Sequence, residues 1–224
     1  MPDWFMEIKL PVLLGLGTVF GFLWLIRFRN LLNIGYITAF FLSLLNTILG
    51  VLSVKIFAFL EGVPGGMSLF GGVFFMPIYY LIGAKLMKRK LADVFDVFAV
   101  CTIITVMFAR VNCLLSGCCG GTLIPGLNGL RWPTQWIEII FYLVLIAFFW
   151  KKVGKEKYTG MIYPMYLLFY GCIRFVLEFV RQKDGTSMVH LSHAWAVVSI
   201  LVGGAILGEL WSRKMKKHER RRIK

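Results

Sequence analysis

Uncharged, mostly apolar stretches alternate with short charged segments along the whole chain. A helix must contain about 20 residues to cross the roughly 30 Å hydrocarbon core of a bilayer, because it rises about 1.5 Å per residue. The apolar stretches therefore predict an all-α polytopic membrane protein with seven transmembrane helices. The predicted spans cover residues 10–26, 30–54, 62–84, 93–109, 134–150, 158–180 and 189–211.

The composition also favours a membrane protein. The 224 residues are 58% hydrophobic and 16% charged, and the mean hydropathy is +0.76. Soluble domains average about 45–50% apolar and about 25% charged residues, so extracellular scaffolds and soluble nucleic-acid binders are excluded. We expect a single seven-span membrane domain over residues 1–211 and a basic cytoplasmic tail over residues 212–224.

Positive charge is concentrated in every second loop. Of the 25 Lys and Arg residues, 18 follow spans 1, 3, 5 and 7, and eight of these lie between Arg213 and Lys224. Because cytoplasmic loops are enriched in Lys and Arg, the pattern places the N-terminus outside and the C-terminus in the cytoplasm. We attribute the net charge of +14 to these loops, whose Lys and Arg residues would contact anionic membrane lipid. We expect no nucleic-acid partner.

Charged residues inside the predicted spans gather at the outer side. Span 4 is followed by Arg110, span 5 contains Glu138, and Arg174, Glu178 and Arg181 follow one another along span 6 and its end. Spacings of four and three residues place the last three on one helix face. Charges at membrane depth face a partner or a polar cavity. The stripe is therefore either the lining of a polar pocket or a structural ion pair that fixes helix packing.

Other titratable residues stand at the starts of two spans. His190 and His193 open span 7 on the outer side. We expect them to be interfacial residues, with a general-base role as the alternative, because their spacing is not that of a helical metal pair. Asp93 and Asp96 open span 4 on the inner side, where carboxylates favour the N-terminus of a helix.

A segment rich in Gly, Cys and Pro, residues 110–133, separates spans 4 and 5. Irregular backbone near a membrane must be buried in protein or line a wet cavity, and backbone N–H groups freed by glycines can bind an anion. Arg110 at the start of the segment suits a phosphate, because a guanidinium donates two parallel hydrogen bonds. The alternative is an ordinary loop with Arg110 at the lipid head groups.

Three of the five cysteines, Cys113, Cys118 and Cys119, lie within this segment. Their spacing lacks the paired C-x2-C or Cys/His arrangement of zinc sites. We expect small packing residues, with a local disulfide as the alternative if the segment faces an oxidising compartment. Neither a metal ion nor a cofactor is expected.

Three segments together resemble the bacterial prolipoprotein diacylglyceryl transferase family, over about residues 50–202. Residues 67–72, MSLFGG, are similar to the family's Ser-x-His-Gly-Gly segment. Residues 96–121 and 132–138 are similar to its Arg-Ile-Gly signature and its His-Pro-(Ser/Thr)-Gln-x-x-Glu segment. The run RFVLEFVR at residues 174–181 is similar to Arg-Phe-x-x-Glu-Phe-x-Arg.

The resemblance implies an enzyme of lipoprotein biosynthesis. The family transfers a diacylglyceryl group from phosphatidylglycerol to the lipobox cysteine of exported preprolipoproteins, forming a thioether and releasing glycerol phosphate. It implies a multi-pass protein of the bacterial cytoplasmic membrane whose active face is turned towards the outer leaflet. A divergent paralogue with another acceptor and a non-catalytic phospholipid-binding protein are the alternatives.

Site residues also follow from the resemblance. Arg174, Glu178 and His193 are the expected catalytic residues, with Glu178 orienting Arg174. Arg110 is expected to hold the phosphate. The other expected substrate-binding residues are Ser68, Gly71, Gly72, Ser116, Gly117, Gly121, Gln135 and Glu138.

The chain departs from the family pattern at several of these segments. Phe70 replaces the family histidine, and Cys113, Ser116 and Cys118 stand where the signature carries two asparagines and a glutamate. Since the thiol of the acceptor must lose its proton, we expect either His193 or Glu178 to accept it in place of the missing histidine.

Overall fold

The computed structural model describes residues 3–63, 65–126, 129–181 and 191–222, and these residues form nine α-helices and one short 3-10 turn. The turn covers Glu156–Tyr158. The α-helices are α1 (Asp3–Arg27), α2 (Arg29–Leu32), α3 (Tyr36–Leu60), α4 (Phe70–Phe74), α5 (Met76–Leu86), α6 (Leu91–Ser116), α7 (Thr134–Trp150), α8 (Ile162–Val180) and α9 (Leu191–Arg222).

The helices confirm the predicted all-α membrane class. Within the described part of the chain, five helical stretches are long and apolar enough to cross a bilayer: Ile8–Arg27, Tyr36–Leu60, Leu91–Ser116, Ile162–Val180 and Leu191–Lys216. Two apolar stretches are shorter, Phe70–Leu86 and Thr134–Trp150. These lengths identify a multi-pass membrane protein, whereas the count of seven spans stays a prediction.

Helix α6 is the centre of the fold. It packs against α1, α3, α5, α7 and α8, and 67% of its most apolar stretch is buried, against 22% for α9. A helix that is apolar all round is suited to such an interior position. Its C-terminal turns, which carry Arg110, consequently lie between α7 and α8.

The third predicted span differs most from the observed structure. A continuous helix over residues 62–84 was expected, but residues 65–69 form a loop and two helices follow, α4 and α5. Gly62 and Gly65 adopt left-handed backbone angles, with φ of 79° and 83°, and Pro77 near the start of α5 has no N–H to continue a helix. Helix α4 is thereby free to pack closely against α3.

Asp96 was expected to stabilise the start of its own helix, but the structure shows a different role. Its two carboxylate oxygens accept hydrogen bonds from the backbone N–H groups of Gly160 at 2.6 Å and Ile162 at 2.9 Å. Asp96 therefore caps the N-terminus of α8 from a neighbouring helix. A buried carboxylate with two such bonds fixes α8 relative to α6.

The basic tail is a helical continuation of the last predicted span. Helix α9 runs without interruption from Leu191 to Arg222, across the expected boundary at residue 211. Lys214 donates hydrogen bonds to the carbonyl oxygens of Lys157 at 2.7 Å and Thr159 at 3.1 Å. The first residues of the tail are thus attached to the loop before α8.

We predict that Asp96→Ala lowers the free energy of unfolding by about 1–3 kcal/mol, because two buried N–H groups lose their acceptor. Thermal unfolding of the detergent-solubilised protein measures the effect. Asp93→Ala is the matched control, since it removes a carboxylate from the same turn without touching α8. Equal losses in the two variants would contradict the capping role.

Candidate active site

One carboxylate joins two buried arginines from different helices. Arg110 of α6 places its Nε 2.7 Å from Glu138 Oε2, and Arg174 Nη1 of α8 donates to Glu138 Oε1, also at 2.7 Å. The three side chains are only 4–6% exposed. Glu138 on α7 therefore holds α6, α7 and α8 together at this point.

The predicted stripe on α8 extends this contact. Arg174 Nη2 lies 3.2 Å from Glu178 Oε2, and Arg181 Nη1 lies 3.9 Å from the same oxygen. The order Arg110, Glu138, Arg174, Glu178, Arg181 defines what we call the charge network. Three guanidinium groups and two carboxylates leave these five described side chains with a net charge of +1.

The ionic partners explain how these charges tolerate burial. An isolated charge in an apolar interior loses roughly several kcal/mol of hydration free energy. Breaking a buried pair leaves the remaining charge uncompensated. Each network residue has an opposite charge within 4.0 Å. The orientation of Arg174 by Glu178 was expected, whereas the shorter contact of Arg174 with Glu138 was not.

Aromatic side chains lie beside the network. The Arg174 guanidinium lies over the Phe70 ring at 5.7 Å from its centroid, so the position of the missing family histidine adjoins an arginine. Tyr142 and Tyr170 are fully buried, and their hydroxyl groups have no hydrogen-bond partner among the described residues. Sequence reasoning missed both tyrosines, although each lies four residues from Glu138 or Arg174 and hence on the same helix face.

The segment between α6 and α7 is irregular, as predicted. Gly117 ends α6 in the left-handed conformation with φ of 67°, and the chain then contacts the C-terminal end of α8. The backbone N–H of Thr122 donates to Val180 at 2.8 Å, and that of Gly121 donates to Trp132 at 3.1 Å. A Cβ atom on Gly121 would lie 2.4 Å from Trp132 Cβ, so only glycine fits this close approach.

The first turn of α7 fixes the cysteine-containing part of the segment. Gln135 Nε2 donates to the carbonyl oxygen of Cys118 at 2.8 Å, and Thr134 Oγ1 donates to that of Cys119 at 3.0 Å. Gln135 was expected to contact substrate, but its amide nitrogen supports the loop beside Arg110. Its role in substrate binding stays a prediction.

The three neighbouring cysteines come together at this place. All three are free thiols, and the Sγ atoms of Cys113, Cys118 and Cys119 lie within 4.8 Å of one another. A hydrogen bond from the Cys113 thiol lowers the pKa of the Cys119 thiol to about 4, and the positive charges of Arg181 and Arg110 add to this effect while burial opposes it. The cluster thus adjoins the two terminal arginines of the charge network.

Four other predicted site residues have local structural contacts. The backbone N–H of Ser68 donates to Val54 at 3.1 Å, and Ser116 Oγ donates to Asn112 at 2.8 Å. A Cβ atom on Gly71 would lie 2.1 Å from the Ser53 carbonyl oxygen, so this glycine permits close packing of α4 on α3. Gly72 is buried beside it, and a ligand-binding role for all four stays a prediction.

The expected catalytic histidine, His193 of α9, packs against α8. His193 is buried, and its ring packs edge-on against Phe175 and Phe179 at centroid distances of 5.6 Å and 4.5 Å. These phenylalanines each follow a network residue, Arg174 and Glu178, by one position on α8. His190 lies outside the described residues.

Comparison with known proteins adds a family and several relatives. The prolipoprotein diacylglyceryl transferase profile matches residues 31–208. The chain is similar to a phosphatidylglycerol–prolipoprotein diacylglyceryl transferase of Dehalococcoides mccartyi, with 26% identity over 222 residues, 87% of this chain and 85% of the relative. A Clostridium perfringens protein named phosphatidylglycerol–prolipoprotein diacylglyceryl transferase 2 is 31% identical over 124 residues, 49% of this chain and 48% of that relative. That second match spans about half of the Clostridium protein.

We expect Glu138→Gln to lower the free energy of unfolding by about 3–5 kcal/mol, because two buried guanidinium groups lose their shared charge partner. Thermal unfolding in detergent measures the change. The control is Glu209→Gln, which removes the exposed ion pair with Arg213 and is expected to change stability little. A Glu138→Gln variant as stable as this control would show that the bridge does not hold the helices.

The lowered pKa of Cys119 predicts pH-independent reactivity. Above its pKa the thiol is a thiolate, so alkylation of the reduced protein by iodoacetamide should proceed at one rate between pH 6 and pH 8. A peptide thiol with the usual pKa of about 8.5 reacts roughly tenfold faster per pH unit over this range. Mass spectrometry of the Cys119 peptide measures the rate.

In Cys113→Ala the hydrogen-bond donor is lost, and we expect the alkylation rate of Cys119 to regain dependence on pH. A tenfold rise per pH unit in the unchanged protein would refute the lowered pKa.

Proposed function

The chain belongs to the prolipoprotein diacylglyceryl transferase family, and from this premise we propose that it transfers a diacylglyceryl group from phosphatidylglycerol to the lipobox cysteine of exported prolipoproteins. The curated relatives named above carry this activity in their names. The observation that carries the proposal is the charge network, a buried group of paired charges with one positive charge in excess.

The excess charge suits the donor lipid. Phosphatidylglycerol carries one negative charge on its phosphate, which matches the net charge of +1 on the network. Arg110 uses its Nε towards Glu138 and its Nη1 lies 4.0 Å from Cys113 Sγ, which leaves Nη2 to donate a charge-assisted hydrogen bond to a phosphate oxygen. We therefore assign the phosphate to Arg110, where positive charge would also stabilise the departing glycerol phosphate.

The buried tyrosines give this site a second polar feature. The hydroxyl groups of Tyr142 and Tyr170 have no hydrogen-bond partner among the described residues, and a buried hydroxyl in that condition costs free energy. Both rings lie close enough to Arg110 and Glu138 to interact electrostatically with them. The oxygens of a lipid head group are suitable partners for these hydroxyls.

A mostly apolar cavity lies between α1, α3 and α6. It has a volume of about 70 Å³, and its lining includes Ala109, the residue before Arg110. Its walls include Leu14, Val51, Val54, Leu69 and Val106. Apolar walls of this kind suit contact with part of an acyl chain.

His193 is the proton acceptor that we assign to the reaction. Glu178 lies between Arg174 and Arg181 and pairs with both guanidinium groups, so its carboxylate is already used to hold them. An imidazole is a suitable base near neutral pH. Glu178 then acts as a positioning residue for Arg174, and the thiolate of the lipobox cysteine attacks the diacylglyceryl carbon as glycerol phosphate leaves.

The orientation in the membrane follows from the distribution of charge. We assign seven spans, counting the two shorter apolar stretches, with the N-terminus outside and the basic end of α9 in the cytoplasm. The charge network then faces the outer leaflet of the bacterial cytoplasmic membrane. Both substrates, an anionic lipid and an exported protein, are reachable from that side.

A second candidate is a phospholipid-binding protein without transfer activity, or a paralogue with another acceptor. The observation that favours it is Phe70, an apolar ring over Arg174 at the position of the family histidine. Lipid binding needs the charge network alone, whereas transfer also needs a proton acceptor.

Transfer activity tests the proposal directly. Purified protein is mixed with phosphatidylglycerol and a lipobox peptide, and peptide mass and released glycerol phosphate are measured. We expect a diacylglyceryl mass gain that Arg110→Ala reduces by about 10²–10³-fold, the usual effect of removing one charge-stabilising donor. Arg110→Lys keeps the charge without the guanidinium donors and should retain part of the activity.

The matched control is Arg89→Ala, which removes an arginine from the loop before α6, at the end of that helix opposite Arg110. It should keep full activity. No transfer by the unchanged protein, together with Arg110-dependent binding of phosphatidylglycerol, would favour the second candidate.

We predict that His193→Ala reduces transfer by about 10²–10⁴-fold, the range typical of general-base catalysis. Ser192→Ala, one residue earlier on α9, is the control and should leave the rate unchanged. Full activity in His193→Ala would show that the histidine is not the proton acceptor.

A further inference from the structure

The backbone after α6 brings the sulfur atoms of the cysteine cluster together. The cluster consists of Cys113, Cys118 and Cys119. Cys113 lies on the last turn of α6, and the two later cysteines follow its C-terminus. Gly117 and Cys119 both adopt left-handed angles, with φ of 67° and 61°, a conformation that non-glycine residues adopt infrequently. These two turns reverse the chain and place all three Sγ atoms within 4.8 Å of one another.

Contacts from the next helix keep the cluster in this form. Thr134 and Gln135 on the first turn of α7 donate hydrogen bonds to the carbonyl oxygens of Cys119 and Cys118. Cys118 is exposed, and the other two cysteines are half-buried. The sulfurs are therefore both preorganised and reachable from solvent.

We propose that Cys113, Cys118 and Cys119 bind one soft, thiophilic cation, Cu(I), through their three sulfurs. Thiolates are the preferred ligands of Cu(I) and of Zn²⁺. Zinc takes four ligands, with water as the fourth where the protein supplies three, and among the described residues no histidine or carboxylate joins this group. Three sulfurs alone satisfy a trigonal Cu(I) centre.

The observed separations suit such a centre. A metal–sulfur bond of about 2.3 Å, as in thiolate sites, corresponds to sulfurs about 4 Å apart in a trigonal plane. The observed limit of 4.8 Å requires small side-chain adjustments only. On binding, three copper–sulfur bonds form and the remaining thiol protons pass to solvent, while copper stays in the +1 state and no electron is transferred.

The surroundings of the cluster offset the charge of the bound form. Three thiolates and Cu(I) carry a net charge of −2, and guanidinium groups stand on two sides. Arg110 Nη1 lies 4.0 Å from Cys113 Sγ, and Arg181 is close enough to hydrogen-bond to Cys119. Positive charge at both positions favours thiolates over thiols.

Copper binding is measured on the reduced full-length protein in detergent, under anaerobic conditions, with Cu(I) supplied as its bicinchoninate complex. We expect one Cu(I) per chain to be withdrawn from the competitor, and X-ray absorption at the copper edge to show three sulfur neighbours. In Cys113→Ser and Cys119→Ser, affinity should fall by more than the roughly 10–100-fold that loss of an outer-shell partner costs.

The control is Cys172→Ser, which removes an exposed cysteine of α8 outside the cluster and should bind copper unchanged. Thermal unfolding of each variant confirms that it is folded. The proposal is overturned if copper stays with the competitor, if the cluster variants bind as well as the control, or if Zn²⁺ displaces Cu(I) at equal concentration. Isolation of the protein with a disulfide among these three cysteines would overturn it as well.

Discussion

The arrangement of the site depends on a single carboxylate. Glu138 contacts Arg110 on one side and Arg174 on the other at 2.7 Å each, so three helices meet at one buried group. In an apolar interior a buried charge must be paired, and Arg110 and Arg174 both find this partner on α7. The relative register of α6, α7 and α8 is thus fixed at the end where the phosphate site is proposed.

The irregular segment after α6 is built around the same contact. Thr134 and Gln135, one turn before Glu138 on α7, hold the carbonyl groups of Cys119 and Cys118. Thr122 attaches the segment to the end of α8. Because Arg110 and Arg181 adjoin the thiols, the charge network and the cysteine cluster share their electrostatic surroundings. The anion site and the thiols are therefore parts of one structural unit, although the two proposals are tested separately.

Local spacing predicted some of this arrangement and could not predict the rest. The stripe of Arg174, Glu178 and Arg181 was readable because residues three or four apart share a helix face. The bridge by Glu138 was not, since it joins residues 28 and 36 positions away whose proximity depends on helix packing. The meeting of the three cysteines depends on left-handed turns at Gly117 and Cys119, and their spacing argued against a metal site.

Lipid selectivity is the most direct measure of whether the excess positive charge binds one phosphate. Native mass spectrometry of the protein, released from micelles containing equal amounts of phosphatidylglycerol and zwitterionic phosphatidylcholine, counts the lipids that stay bound. The charge network predicts one retained phosphatidylglycerol per chain, with the preference lost in Arg110→Gln. Equal retention of both lipids, or a preference that survives in Arg110→Gln, would contradict the assignment.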